Sequence, residues 1–139
     1  FVAILRFQGP RATGMPELHK LTPILGSLQD RGFKVALVTD GRMSGASGKV
    51  PAAIHFHPEA ALGGPLAKVR TGDIICVDPE SSSVSLVDNE DWESRTAEPE
   101  PVRQNLSALG MNMFAPMRAC AGNAESGASS LGDPVWMDI

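Results

Sequence analysis

The sequence predicts a mixed α/β domain, and three observations carry that prediction. Two short apolar runs, Phe1–Phe7 and Lys34–Thr39, read as strands, the second continuous enough to be covered on both faces. Between them, Thr22-Pro23 and Gly32 supply the start and stop signals of a helix. Further on, Asp73–Asp78 and Ser83–Val87 flank Pro79-Glu80-Ser81-Ser82, as in a hairpin.

Taken in order, Phe1–Phe7 is a strand and Gln8–Gly14 a loop. Pro16–Lys20 is expected to open a helix with Pro16 in its first turn. A second helix starts at the Thr22 cap, runs through Ile24, Leu25, Leu28 and Gln29, and stops at Gly32. Lys34–Thr39 follows as a strand, and Asp40–Lys49, with three glycines in ten residues, as a loop. Ala52–Phe56 is too short for periodicity to separate strand from helix. Gly63-Gly64-Pro65 is a turn before the hairpin. Residues 88–101 hold six acids against one Arg and read as a solvated helix and an acidic linker. Val102–Ala121 is Met-rich and reads as a helix broken near Pro116, with Met111, Met113 and Met117 as core filler. Residues 122–139 read as a flexible tail.

At 139 residues the chain suits a single domain, 1–139. Its net charge of −4 argues against nucleic acid or an anionic membrane surface as a partner. No run of eighteen apolar residues is present, and no secretory signal pattern. Two well-separated cysteines, Cys76 and Cys120, make no disulfide framework and cannot hold an iron–sulfur cluster unaided. The expected compartment is the reducing cytoplasm. The first residue is Phe rather than Met, and it opens a strand, so the chain is expected to be a fragment of a longer polypeptide.

The richest stretch for chemistry is Asp40-Gly41-Arg42-Met43-Ser44-Gly45-Ala46-Ser47-Gly48-Lys49. Glycines let backbone N–H groups approach an anion closely. The loop nevertheless misses the Walker phosphate motif, with Met43 and Val50 at the wrong positions. It also misses the nucleophile elbow, with Arg42 and Ala46 where glycines are needed. A structural turn and a ligand site both remain open. His55 and His57 would share one face of a strand and so form a weak metal pair. Glu17 reads as a favourable acid in a first helical turn. Asn105-Leu106-Ser107 is a sequon without meaning unless the chain is secreted.

Several of these segments together carry a resemblance. Gly14-Met15-Pro16-Glu17-Leu18, Thr39-Asp40-Gly41-Arg42-Met43-Ser44-Gly45, His55-Phe56-His57-Pro58-Glu59-Ala60, Gly63-Gly64-Pro65 and Gly72-Asp73-Ile74-Ile75 are similar to the dihydroxy-acid and 6-phosphogluconate dehydratase family. Ser44–His55 and the stretches Met113–Ala115 and Ala124–Ser129 look like its 6-phosphogluconate branch. The resemblance implies a β-barrel-like swivelling domain with flanking helices, truncated on its N-terminal side. It implies the C-terminal domain of an enzyme that removes water from a sugar-acid phosphate, partnered by the N-terminal domain of the same polypeptide in a homodimer. A dihydroxy-acid or other sugar-acid dehydratase, and a non-catalytic anion- or carbohydrate-binding domain, are the alternatives.

By the same resemblance the enzyme uses an iron–sulfur cluster of the 4Fe–4S type, with ligands outside this chain, and Mg²⁺. Glu17 would be one ligand of the Mg²⁺, as suits a hard carboxylate donor. Ser44 would be the base, its hydroxyl made acidic by adjacent positive charge. Arg11, Arg42, Gly45, Lys49 and His55 would face the substrate, with Arg11 and Lys49 as contacts for its phosphate. Family carry-over supports His55 and not His57, which stands where relatives often have Ser.

Overall fold

In the computed structural model, residues 1–43, 48–87, 90–101 and 109–131 are described. They form a mixed α/β arrangement. Strand β1 (Val2–Leu5) is followed by a short helix α1 (Pro10–Thr13) and a longer one α2 (Thr22–Asp30). Strands β2 (Ala36–Thr39) and β3 (Ala52–Ala53) complete a three-stranded parallel sheet in the order β1-β2-β3. Val2 pairs with Ala36 and Leu5 with Thr39, so β1 and β2 end level with each other. Two 3-10 turns, Ala60–Leu62 and Pro65–Lys68, lead into an antiparallel hairpin of β4 (Ile74–Asp78) and β5 (Ser83–Val87). Helices α3 (Leu109–Met113) and α4 (Ala115–Ala119) follow.

The sheet separates two cores, because successive side chains of a strand point to opposite faces. On one face Leu37 meets Leu25 of α2, Val35 and Val50, flanked by Ala3 and Leu5. On the other Val38 meets Phe7, Leu66 and Ala67, flanked by Val2, Ile4, Ile75 and Val77. Leu37 and Val38 are both fully buried, as the continuous apolar run of this strand requires. The hairpin is closed by Asp78, whose carboxylate accepts bonds from the Glu80 and Ser81 amides and the Ser81 hydroxyl. Those bonds, the side-chain one first, hold the Asp78 carboxyl below its ordinary pKa.

Several expectations need correction. No closed barrel is formed among the described residues; the strands lie in two separate sheets, of three and two strands. Gln8–Gly14 contains the short helix α1, because Glu59 accepts bonds from the Arg11 and Ala12 amides at its first turn. Pro16–Lys20 is not a helix: Met15 has φ of 53° and Glu17 pairs in parallel with Arg42. Thr22 makes no cap bond at α2; its hydroxyl donates to the Met43 sulfur instead. The expected solvated helix forms only turns at 90–94, and this stretch is fastened to the body. Trp92 packs on the core, and Arg95, its side chain 8% exposed, bonds both carboxylate oxygens of Asp73 at 2.6 and 3.0 Å. Asp73, and less strongly Asp91, push the Arg95 pKa up.

Met113 and Met117 are 60% and 47% exposed, so they do not fill a core. Their helices do break at Phe114–Pro116 as expected, since Pro116 lacks an amide to continue the ladder. Residues 122–131 include turns, and the Gly122 N–H donates to the Ser129 carbonyl at 2.9 Å. Residues 88–89, 102–108, with the sequon Asn105, and 132–139 lie outside the described residues. No helix among the described residues is long and apolar enough to cross a membrane.

The turn Gly63-Gly64 gives a paired test. Gly63 has φ of 75° and open space around it, so Gly63→Ala should cost only the left-handed penalty, roughly 1–2 kcal/mol. A Cβ on Gly64 would fall on the Pro58 carbonyl, which is backbone and cannot swing aside. Gly64→Ala should therefore cost about 3 kcal/mol or more in denaturant unfolding of the full-length protein. Equal effects of the two would contradict this packing.

Candidate functional site

In open parallel sheets, ligands bind outside the carboxyl ends of the strands. Here three segments leave those ends. Arg6–Gly9 follows β1, Asp40–Met43 follows β2, and Ile54–Glu59 follows β3. Asp40 ties them together. It is fully buried, and its carboxylate accepts bonds from the amides of Phe7 (3.1 Å), Gln8 (2.9 Å) and Ala60 (2.8 Å). The Gly41 amide donates to the Thr39 hydroxyl, and the Gly41 carbonyl accepts from the His55 amide at 2.9 Å. A Cβ on Gly41 would stand 2.7 Å from Gln8 Cβ, so the first two segments touch at a point only glycine allows.

That contact delivers Arg42 to Glu17. The two residues form a parallel bridge, with a guanidinium nitrogen 3.9 Å from a Glu17 carboxylate oxygen. Arg42 also donates its Nε–H to the Met15 carbonyl at 2.6 Å. The segment that carries Glu17 is thus pinned to the loop that leads to Ser44. Ser44 and Gly45 themselves lie outside the described residues. Glu17 is partly exposed, at 29% of its side chain, so it is reachable from solvent.

The other expected site residues are held by separate contacts. Arg11 donates its Nε–H to the Ala121 carbonyl at 2.9 Å, which draws the C-terminal segment onto α1. Lys49 lies along α2, with Nζ 2.6 Å from an Asp30 oxygen and its carbonyl accepting from Gln29. His55 is exposed and has φ of 58°. It stands beyond the end of β3, so His55 and His57 do not share a strand face and the metal-pair geometry fails. Among the described residues no group of three or more His, Cys, Asp or Glu side chains could hold a metal ion. Glu17 suits a hard cation as one ligand among several; Cys76, on β4, and Cys120, after α4, are exposed and belong to no such cluster.

Two organising residues escaped the sequence reading. Asp40 had a legible signal, a carboxylate directly after a strand buried on both faces. Glu59 had none beyond its place in the His55–Ala60 motif, since its partners are 47 and 48 residues away.

The model of the dihydroxy-acid/6-phosphogluconate dehydratase C-terminal domain matches residues 1–128. The chain belongs to this family. It is 63% identical over 130 residues to the phosphogluconate dehydratase of Pseudomonas aeruginosa, covering 93% of this chain and 21% of that protein. It is 54% identical over 132 residues to the phosphogluconate dehydratase of Rhizobium meliloti, covering 94% of this chain and 22% of that protein. Identity to the dihydroxy-acid dehydratase of Ignicoccus hospitalis is 42% over 122 residues, covering 86% of this chain and 22% of the relative. The chain spans about a fifth of the length of these curated relatives.

In this domain the Arg42 bond to Met15 should be measurable as stability. Arg42→Gln removes the Nε donor and should cost about 1 kcal/mol. Arg42→Lys should not restore it, because an ammonium lacks the planar fork. Unchanged denaturation midpoints of the full-length protein would show that the bond does not hold the segment.

Proposed function

We propose that this chain is the C-terminal domain of a hydro-lyase that converts 6-phospho-D-gluconate to 2-dehydro-3-deoxy-6-phosphogluconate and water, in the Entner–Doudoroff pathway. The supporting observation is the Glu17–Arg42 bridge, which joins the two family motifs at the carboxyl ends of the parallel strands. The names of the two phosphogluconate dehydratases, at 63% and 54% identity against 42% for the dihydroxy-acid dehydratase, support the phosphorylated substrate over a dihydroxy acid.

The reaction moves a proton from C2 and a hydroxide from C3, and the resulting enol becomes the 2-keto group. No electrons are gained or lost. On this reading Ser44 Oγ takes the C2 proton. A serine hydroxyl is far too weak an acid for that unless cations stand beside it, and Arg42 is two residues away. Glu17 offers one carboxylate for Mg²⁺, the remaining ligands and those of a 4Fe–4S cluster coming from the rest of the enzyme. When bound, these groups would supply Lewis acidity to the substrate carboxylate and to the departing hydroxide. Gly45 and His55 would line the substrate. Arg11, its fork oriented by the Ala121 carbonyl, and Lys49, paired with Asp30, would be the phosphate contacts.

The reading extends to the assembly. β1 is an edge strand, and β4 has an open edge; a cavity of about 970 Å³ lies beside both, lined by Val2, Ile4, Ile74 and Ile75 among others. This arrangement supports closure of the sheets into the barrel-like swivelling form within the full-length enzyme. That enzyme is read as a cytoplasmic homodimer with a separate N-terminal domain.

The test is dehydration by the full-length enzyme prepared without oxygen. 6-Phosphogluconate should be turned over and dihydroxy acids should not; the reverse preference would reject the proposed substrate. Ser44→Ala should abolish turnover with substrate binding retained, since the base acts in the transition state. Activity within about tenfold of the parent would remove Ser44 as the base. The 139-residue chain alone should show no turnover.

A further inference from the structure

Glu59 is a buried carboxylate, 3% exposed, that the reaction above does not use. A carboxylate removed from water is expensive unless donors replace its hydration. Here the donors are the amides of Arg11 (2.9 Å) and Ala12 (3.2 Å), the first turn of α1. Gly9, the N-cap of that helix, contributes no side-chain bond. Its missing side chain leaves the space in which the Glu59 carboxylate sits, since a Cβ there would overlap it. The cap therefore comes from the segment that follows β3, not from the helix's own neighbour.

The segment 9–17 carries Glu17, and it is held at two points. Glu59 grips its beginning at Arg11 and Ala12, and Arg42 grips its end at Met15 and Glu17. Between them the chain turns through two left-handed residues, Gly14 (φ 77°) and Met15 (φ 53°). Glu59 is itself located by Asp40, which bonds the next amide, that of Ala60. We propose that Glu59 is a positioning residue for Glu17, setting the place of that carboxylate for a divalent cation. The inference rests on the reading of Glu17 as a cation ligand.

The experiment is calorimetric titration of Mg²⁺ into the full-length enzyme, with thermal unfolding recorded beside it. Glu59→Gln keeps the volume but turns an amide –NH₂ toward one of the two backbone donors. It should weaken Mg²⁺ binding by about 10–100-fold, the usual effect of removing a support behind a metal ligand. Turnover at saturating Mg²⁺ should stay within about threefold of the parent, because the reacting groups are untouched. A lowered melting temperature with unchanged Mg²⁺ affinity would make Glu59 purely structural and overturn the inference. If Glu59→Gln does not fold, Glu59→Asp, which retracts the carboxylate by one methylene, is judged by the same two outcomes. Glu17→Gln is the control. Weakened binding there with unaltered binding in the Glu59 variant sinks this inference alone, whereas unaltered binding in Glu17→Gln removes the ligand reading and the inference with it.

Discussion

The structure turns on one buried carboxylate. Asp40 has no solvent exposure and accepts three backbone amides, from Phe7, Gln8 and Ala60. Each of those donors would otherwise be an orphan near the sheet's end, costing about 1–3 kcal/mol if left buried and unpaired. The residue stands where β2 ends, level with the end of β1, so its two oxygens reach both flanking segments at once. The parallel register of β1 and β2 is thereby continued past the sheet, into loops that have no ladder of their own.

The demands on the neighbours follow from that position. Gly41 must lack a Cβ because Gln8, held by Asp40, lies against it. Ala60, held by Asp40, fixes the residue before it, and Glu59 then reaches α1. Away from this hub, packing is more ordinary. Arg6 donates to the Val69 carbonyl and pairs with Glu98, while the Glu98 amide donates to the Ala67 carbonyl. The acidic stretch is thus drawn onto the body in spite of its charge, by these bonds together with the Arg95–Asp73 pair and the packing of Trp92.

What was legible in the sequence was what depends on local pattern. The strand Lys34–Thr39, the helix ending near Gly32 and the hairpin across residues 79–82 follow from apolar runs and turn residues, and all are present. What was not legible depends on distant partners. Gln8–Gly14 looks like a loop until a carboxylate from Glu59 caps it. Pro16–Lys20 looks like a helix until Arg42 draws Glu17 into an extended bridge. Trp92 and Arg95 sit in a run of acids, and their burial depends on Asp73 and the core beneath. The motifs around Glu17 and Arg42 were each visible, but their contact was not, because they stand 25 positions apart with α2 and β2 between them.

Backbone strain gives an independent reading of the same region. Among the described residues, five that are not glycine have positive φ: Phe7, Met15, His55, Ser82 and Ala128. Ser82 lies in the hairpin turn and Ala128 in the C-terminal segment. The first three lie in the segments leaving β1 and β3 or beside Glu17. A left-handed side-chain-bearing residue costs roughly 1–2 kcal/mol, so three together persist only where surrounding bonds over-determine them. Each of the three has such a bond. The Phe7 amide is held by Asp40, the Met15 carbonyl by Arg42, and the His55 amide by the Gly41 carbonyl. The same short list of residues that joins the motifs therefore also maintains the strained conformations. The strain is thus concentrated where the segments leaving β1 and β3 and the segment carrying Glu17 are held together.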